Sequence, residues 1–279
     1  MPYQRTIQDI MTSALAFDQV SCVFKGNDGS ASYTAVAHTS LTVEEGEFVA
    51  VVGPTGCGKS TLLNVAAGLL QPSSGTIHVF GQPLVGVNQR AGYMFQTEAL
   101  LPWRSAVQNV MLGLQYRNIA EKEARALALD WLERVGLKGF EDRYSHQLSG
   151  GMRKRVALAQ TLVLDPDIIL MDEPFSALDI QTRQLMENEV LALWQSKRKS
   201  VLFITHDLDE AIAMSDRVVV LSAGPAAKPM GEFIIDIARP RDVTEVKMTP
   251  RFIELHQAIW NVLREEVLKG YRQQLEKSA

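Results

Sequence analysis

The stretch Gly53-Pro54-Thr55-Gly56-Cys57-Gly58-Lys59-Ser60-Thr61 carries the chemistry of the chain. Glycines at these spacings let successive backbone N–H groups turn into one concavity, an anion nest. The pattern is G-x-x-x-x-G-K-[ST], in which Lys59 reaches terminal phosphates and the Ser60 hydroxyl suits Mg²⁺. Before it runs the apolar Phe48 to Val52, read as a buried strand, and after it Leu62 to Leu70, read as a helix. The helix adds unpaired N–H groups and the positive end of its dipole. A glycine-rich turn without a ligand would not need that strand–loop–helix context, so the chain is expected to bind a nucleoside triphosphate.

Other residues extend this chemistry. Asp172 and Glu173 end the apolar run Ile168 to Met171. The carboxyl ends of strands are where ligands bind in open α/β sheets. An Asp there holds Mg²⁺ through its water shell, and the adjacent carboxylate can polarise an attacking water. His206 ends the run Val201 to Thr205, where an imidazole can contact a γ-phosphate or order the water. Gln96 also ends a strand, and its amide suits Mg²⁺ or water. Leu148-Ser149-Gly150-Gly151-Met152 pairs an N-cap serine with two glycines ahead of the basic Arg153, Lys154 and Arg155. That makes a second helix start able to hold phosphate. The three cations oppose the helix dipole, a cost compatible with an anionic neighbour.

The elements that must position these residues follow from patterning. Leu15 to Val23 and Tyr33 to Val43 alternate apolar and polar residues around Asn27-Asp28-Gly29-Ser30, the pattern of a β-hairpin. Thr76 to Phe80, Ala91 to Phe95, Ile168 to Met171, Ser200 to Thr205 and Arg217 to Leu221 read as strands. Helices are expected at Ser105 to Leu114, Glu121 to Val135, Met152 to Leu164, Gln181 to Gln195 and Leu208 to Ser215. Strands alternating with helices imply a parallel sheet covered by helices. The helical stretch at about 97–163 interrupts that alternation and reads as an inserted subdomain. Residues 1–13 read as a lead-in, 14–238 as the nucleotide-binding domain and 239–279 as a helical tail. In the tail, Phe252, Leu255, Ile259, Leu263 and Val267 recur at helical spacing and predict one packed face.

Composition narrows the class. Of 279 residues, 46% are hydrophobic, a globular value, and the net charge of −4 gives no electrostatic footprint for nucleic acid. Two cysteines, Cys22 and Cys57, build neither a disulfide framework nor a zinc cluster and fit a reducing compartment. The first 18 residues lack the apolar core of a signal peptide, and no run approaches the roughly 20 apolar residues of a membrane helix. Any membrane role is expected to come through a partner.

Taken together these motifs resemble the ATP-binding subunits of ABC transporters, from about Leu15 to Leu221. Gly53 to Thr61 resembles the Walker A loop, Gln96 the Q-loop residue, and Leu148 to Met152 the ABC signature. Ile168 to Asp172 resembles the Walker B strand, with Glu173 beside it. Ser176-Ala177-Leu178-Asp179 resembles the D-loop, and His206 the switch histidine. Phe24 falls where the family places an aromatic under adenine. Met152 departs from the commonest signature, which has Gln there. The resemblance implies an α/β, RecA-like P-loop NTPase core with an antiparallel β subdomain and an inserted helical subdomain. It implies ATP and Mg²⁺ as cofactors. It also implies a head-to-tail dimer in which Ser149, Gly150, Gly151 and Asp179 of one copy complete the other's site.

The loop Ala99-Leu100-Leu101-Pro102-Trp103-Arg104, followed by Asn109-Val110, resembles nitrate, sulfonate and taurine importer ATPases, as does Arg239-Pro240-Arg241. That subgroup implies membrane permease subunits, an indirect solute-binding protein outside the membrane, and a peripheral place on its cytoplasmic face. Two readings compete. A soluble ABC ATPase acting on nucleic acid or ribosomes fits poorly with an acidic chain lacking coiled-coil heptads. A nucleotide-gated regulatory module leaves Glu173 and His206 without a purpose.

Overall fold

The computed structural model describes residues 13–25, 32–176 and 178–278, with side chains to residue 272. Met1 to Thr12 of the lead-in, the Asn27 to Ser30 turn and Ala177 lie outside the described residues. In chain order the elements are β1 (Ser13–Phe24), β2 (Tyr33–Glu44), β3 (Phe48–Val52), α1 (Lys59–Ala66), β4 (Ser74–Val79), β5 (Gln82–Pro83) and β6 (Ala91–Met94). There follow α2 (Ala106–Tyr116), α3 (Glu121–Arg134), α4 (Gly150–Leu162), β7 (Ile168–Asp172) and α5 (Ile180–Lys197). The chain ends with β8 (Ser200–Ile204), α6 (Leu208–Met214), β9 (Arg217–Leu221), β10 (Pro229–Ile234) and α7 (Pro250–Ser278). The described residues form two compact units, those within 1–89 together with 198–279, and those within 90–197.

Two groups of strands build the first unit. β2, β1, β4 and β5 lie side by side in an antiparallel sheet. The expected hairpin is therefore real, and Phe24 pairs with Tyr33 at the end next to the turn. β3 lies between β8 and β9, parallel to both, and all three strands are buried at every residue. Strands covered on both faces carry continuous apolar runs, which is why these sequences do not alternate. β10 adds antiparallel to β9 and alternates partly buried with exposed residues. Its sequence, Pro229-Met230-Gly231-Glu232-Phe233-Ile234, hides a strand behind Pro and Gly. Pro229 stands at its first position, where a missing N–H is tolerated.

The buried face of α7 differs from expectation at one place. Phe252, Leu255, Ile259 and Leu263 are buried, but Val267 is 39% exposed and Glu266 only 4%. The carboxylate takes the inward position because the Ala223 N–H donates to its Oε2 at 2.8 Å.

In the Arg239-Pro240-Arg241 break, Arg241 is buried, Arg239 half-buried and Pro240 exposed. The Arg241 guanidinium donates to the carbonyls of Ile212, Ser215, Ile235 and Ile237, at 2.6 to 3.2 Å. Arg239 donates to Asp216 Oδ1 and the Met214 carbonyl. The pair thus satisfies orphan carbonyls at the C-terminal end of α6, where the negative end of the dipole also favours cations. Burial, and then the neighbouring Arg239, push the Arg241 guanidinium down to about 10, so it remains a cation at neutral pH.

The second unit packs α2, α3 and α4 on one another beside the parallel pair β6 and β7. Ser105 and Gln108 close a capping box at the start of α2. Arg241→Met should leave several buried carbonyls without donors and lower the unfolding free energy by about 3 kcal/mol. A fall in the urea midpoint at unchanged m-value checks this.

Candidate functional site

In the first unit the phosphate loop leaves the carboxyl end of β3. Gly56 and Gly58 have φ of 77° and 91°, the left-handed region that favours glycine. At Gly58 a Cβ would lie 2.7 Å from Val36 Cγ1, so a side chain there would displace β2. Lys59 is buried, and its ammonium donates to the carbonyls of Gly53 at 2.8 Å and Pro54 at 3.0 Å. These bonds fold the side chain along the inside of the loop. The Ser60 hydroxyl sits exposed in the first turn of α1, and Thr61 follows partly buried. Thr55 is exposed, while Pro54 and Cys57 are buried. Burial pushes the Cys57 thiol up, outweighing Lys59, and its Sγ packs where a Gly53 Cβ would stand. Cys57 is therefore a protonated filler of the loop's underside, with no thiolate character.

Parallel pairing aligns a second residue with this loop. Val51 of β3 is in register with Ile204 of β8. Two residues on, Gly53 and His206 therefore leave the same edge. His206 is exposed, and the turn that carries it is tied down. The Thr205 hydroxyl donates to Glu210 Oε2 at 2.6 Å and accepts from the Asp207 N–H. Asp207 Oδ1 in turn caps α6 by accepting from the Asp209 and Glu210 N–H groups.

At the hairpin end, Phe24 is 43% exposed, as an aromatic that offers a face to a planar ligand must be. Its cross-strand partner Tyr33 was not singled out from the sequence. The Tyr33 hydroxyl donates to the Gly56 carbonyl at 3.1 Å. An aromatic opposite Phe24 across the turn was the available signal.

In the second unit the same register logic brings Gln96 and Glu173 together. Met94 of β6 pairs with Met171 of β7, so both residues lie two positions past a matched pair. The Gln96 amide donates to Glu173 Oε2 at 3.1 Å. Glu173 has a φ of 47°, an uncommon conformation for a side chain of this kind. Asp172 beside it is buried. Burial, and then the Asp172 charge, raise the Tyr93 phenol above its ordinary range.

The Ser149 hydroxyl caps α4 by accepting from the Met152 N–H at 3.2 Å. The departure at Met152 thus affects a side chain only, because its backbone makes the cap. Gly150 and Gly151 form the first turn. The three cations that follow do not lie free. Arg153 donates to the Leu148 carbonyl, Lys154 to those of Phe95 and Gln96, and Arg155 to those of Val135 and Gly136. Lys154 is buried, which lowers its ammonium, and it ties the signature helix to the backbone of Gln96. Asp179 caps α5 by accepting from the Thr182 N–H at 3.0 Å, and that bond is the largest influence lowering its carboxyl.

Asn109 explains the spacing of the apolar loop. Buried in α2, its Oδ1 accepts from the Leu101 N–H, and its Nδ2 donates to the carbonyls of Leu101, Arg104 and Ser105. This pins the loop so that Trp103 stands 70% exposed. A cleft of about 430 Å³ beside it is lined by Trp103, Arg104, Gln108 and Met111, among others. No described helix is long and apolar enough to cross a membrane.

A phosphate loop between a parallel strand and a helix, together with Asp-Glu at a strand's carboxyl end, defines a P-loop nucleoside triphosphatase. Residues 36–176 match the ABC transporter family. An uncharacterised ABC transporter ATP-binding protein of Methanocaldococcus jannaschii is 44% identical over 266 residues, 95% of this chain and 97% of the relative. A nitrate import ATP-binding protein of Synechococcus elongatus is 40% identical, covering 90% of this chain and 91% of the relative. A taurine import ATP-binding protein of Yersinia pestis is 46% identical over 68% of this chain and 75% of the relative. A solved dimeric ATP-binding cassette in a post-hydrolysis state with ADP and Pi aligns with a TM-score of 0.74 at 30% identity, over 80% of this chain and all of its own. The chain belongs to the ATP-binding subunits of ABC transporters, and among them resembles those of the nitrate and taurine import systems.

Asn109→Ala should release four backbone groups of the 101–105 loop and cost about 2 kcal/mol of stability. Thermal melting of the purified chain measures it.

Proposed function

We propose that this subunit hydrolyses ATP to drive uptake of a small anionic solute, such as a sulfonate, taurine or nitrate, through separate membrane permease subunits. The observation that carries the solute class is the 40–46% identity to subunits named for nitrate and taurine import. The loop Leu101 to Arg104, stapled by Asn109 with Trp103 outward, supports the permease as its docking partner.

In this reading the amides of Gly53 to Thr61 and the Lys59 ammonium hold the phosphates. Phe24 offers its face to the adenine. Ser60, Asp172 and Gln96 hold Mg²⁺, which when bound neutralises charge building on the phosphoryl oxygens. Glu173 takes a proton from the attacking water, and His206 contacts the γ-phosphate. Two copies associate head to tail, and Ser149, Gly150, Gly151 and Asp179 of one copy complete the other's site. The Gln96–Glu173 hydrogen bond supports a coupling between the docking loop, which begins three residues after Gln96, and the general base. A solute-binding protein outside the membrane selects the solute, and the subunit sits on the cytoplasmic face of the membrane.

Glu173→Gln should keep ATP binding while steady-state hydrolysis falls at least about 100-fold. Hydrolysis at the wild-type rate would remove Glu173 from the base role. Proteoliposomes carrying the subunit with its permease and binding protein test the solute class, through ATP-dependent uptake of radiolabelled taurine and nitrate in separate runs. Uptake of neither anion would overturn that class.

A further inference from the structure

The outside of the phosphate loop is braced by layers of the same unit. β2 backs its second half, with Ala35 and Val36 against Gly58. The Tyr33 hydroxyl holds the Gly56 carbonyl. The segment after β9 forms the next layer. A Cβ on Gly224 would lie 3.3 Å from both the Gly56 carbonyl oxygen and the Tyr33 hydroxyl, and 3.6 Å from Cys57 Cα. The segment is fastened to β2 by the Ala226 and Ala227 N–H groups, which donate to the carbonyls of Thr34 and Ala35. The last layer is α7. A Cβ on Gly270 would lie 3.5 Å from that of Pro54 and 3.9 Å from that of Ala223.

Glu266 joins these layers. It occupies an inward position of α7, 4% exposed, where Phe252, Leu255, Ile259 and Leu263 upstream are apolar. A carboxylate is costly there unless paired. Its Oε2 accepts from the Ala223 N–H at 2.8 Å, and its Oε1 accepts from the Lys269 ammonium at 2.6 Å. Burial raises its carboxyl, but these two partners outweigh burial and hold it below the usual range, so the anion persists at neutral pH. One helical turn on, Gly270 faces Pro54 so closely that a Cβ would already be in van der Waals contact, and a side chain longer than Ala would have to find room between them.

We propose that Glu266 is a positioning residue for nucleotide binding, holding Ala223–Gly224 against the Gly56 carbonyl while Gly270 seats α7 on Pro54. Pro54 and Gly56 belong to the loop whose amides meet phosphate. Fixing them from outside removes part of the ordering cost that binding would otherwise carry. The tail helix is then part of the nucleotide site, although it contributes no atom to the ligand. This rests on the phosphate-loop reading and is independent of the solute.

The test titrates ATP with Mg²⁺ calorimetrically into the full chain, well below each variant's melting temperature. Glu266→Ala and Gly270→Leu should each raise the ATP Kd about fivefold or more, or about 1 kcal/mol. Glu266→Gln, which keeps an oxygen for the Ala223 N–H, should recover most of the loss. A purely structural role for α7 would lower the melting temperature and leave the Kd unchanged. Wild-type ATP affinity in both Glu266→Ala and Gly270→Leu overturns the proposal, whatever their melting temperatures. Binding by the wild-type chain that Lys59→Ala abolishes tests the phosphate loop itself, so the two failures are distinguishable.

Discussion

A loop that offers its backbone N–H groups to an anion cannot spend them on its own secondary structure. Residues 53 to 58 therefore lack the ladder that makes strands and helices rigid, and rigidity has to come from outside. In this protein it comes mainly from contacts to the loop's carbonyls and Cα atoms; of the amides, that of Cys57 turns inward and donates to the Pro54 carbonyl at 3.3 Å. Lys59 donates to the Gly53 and Pro54 carbonyls, Tyr33 to that of Gly56, and β2 closes on Gly58. Much of the first unit serves this bracing: the hairpin supplies Tyr33 and Val36, and the segment after β9 supplies Gly224.

Parallel strand register does the comparable work at the strand ends. A parallel ladder fixes which residues emerge side by side at the carboxyl edge. Val51 opposite Ile204 sends Gly53 and His206 out together, and Met94 opposite Met171 does the same for Gln96 and Glu173. Residues far apart in sequence become neighbours because each lies two positions beyond a buried, hydrogen-bonded pair. The apolar runs of β3, β7 and β8 thus set the spacing of polar groups they do not contain.

Buried and half-buried cations have a consistent use. Lys154, Arg239 and Arg241 all donate to backbone carbonyls at element ends, and Arg217 combines the Thr42 carbonyl with Glu47 and Glu232. Long side chains with several donors reach carbonyls that regular structure leaves over. A run such as Arg153-Lys154-Arg155 therefore looks in the sequence like a site for an anion, whereas in the fold its members hold three different turns.

The sequence alone determined the chemistry and the element types. Gly53 to Thr61 could be read because phosphate binding is written into contiguous residues, and the strands β3, β7, β8 and β9 because burial on both faces demands unbroken apolar runs. Gln96, Glu173 and His206 were legible as strand-end polar groups. Which of them meet was decided by register, a property of pairing between distant segments. β10 stayed hidden because an edge strand is selected by its neighbour more than by its own propensity. Tyr33 and Glu266 were invisible for the same reason: each acts through one hydrogen bond to a backbone group 23 or 43 residues away. At Val267 periodicity pointed to an apolar contact, and the structure instead buried the carboxylate before it. Only tertiary structure could supply the Ala223 N–H that makes burying that charge favourable.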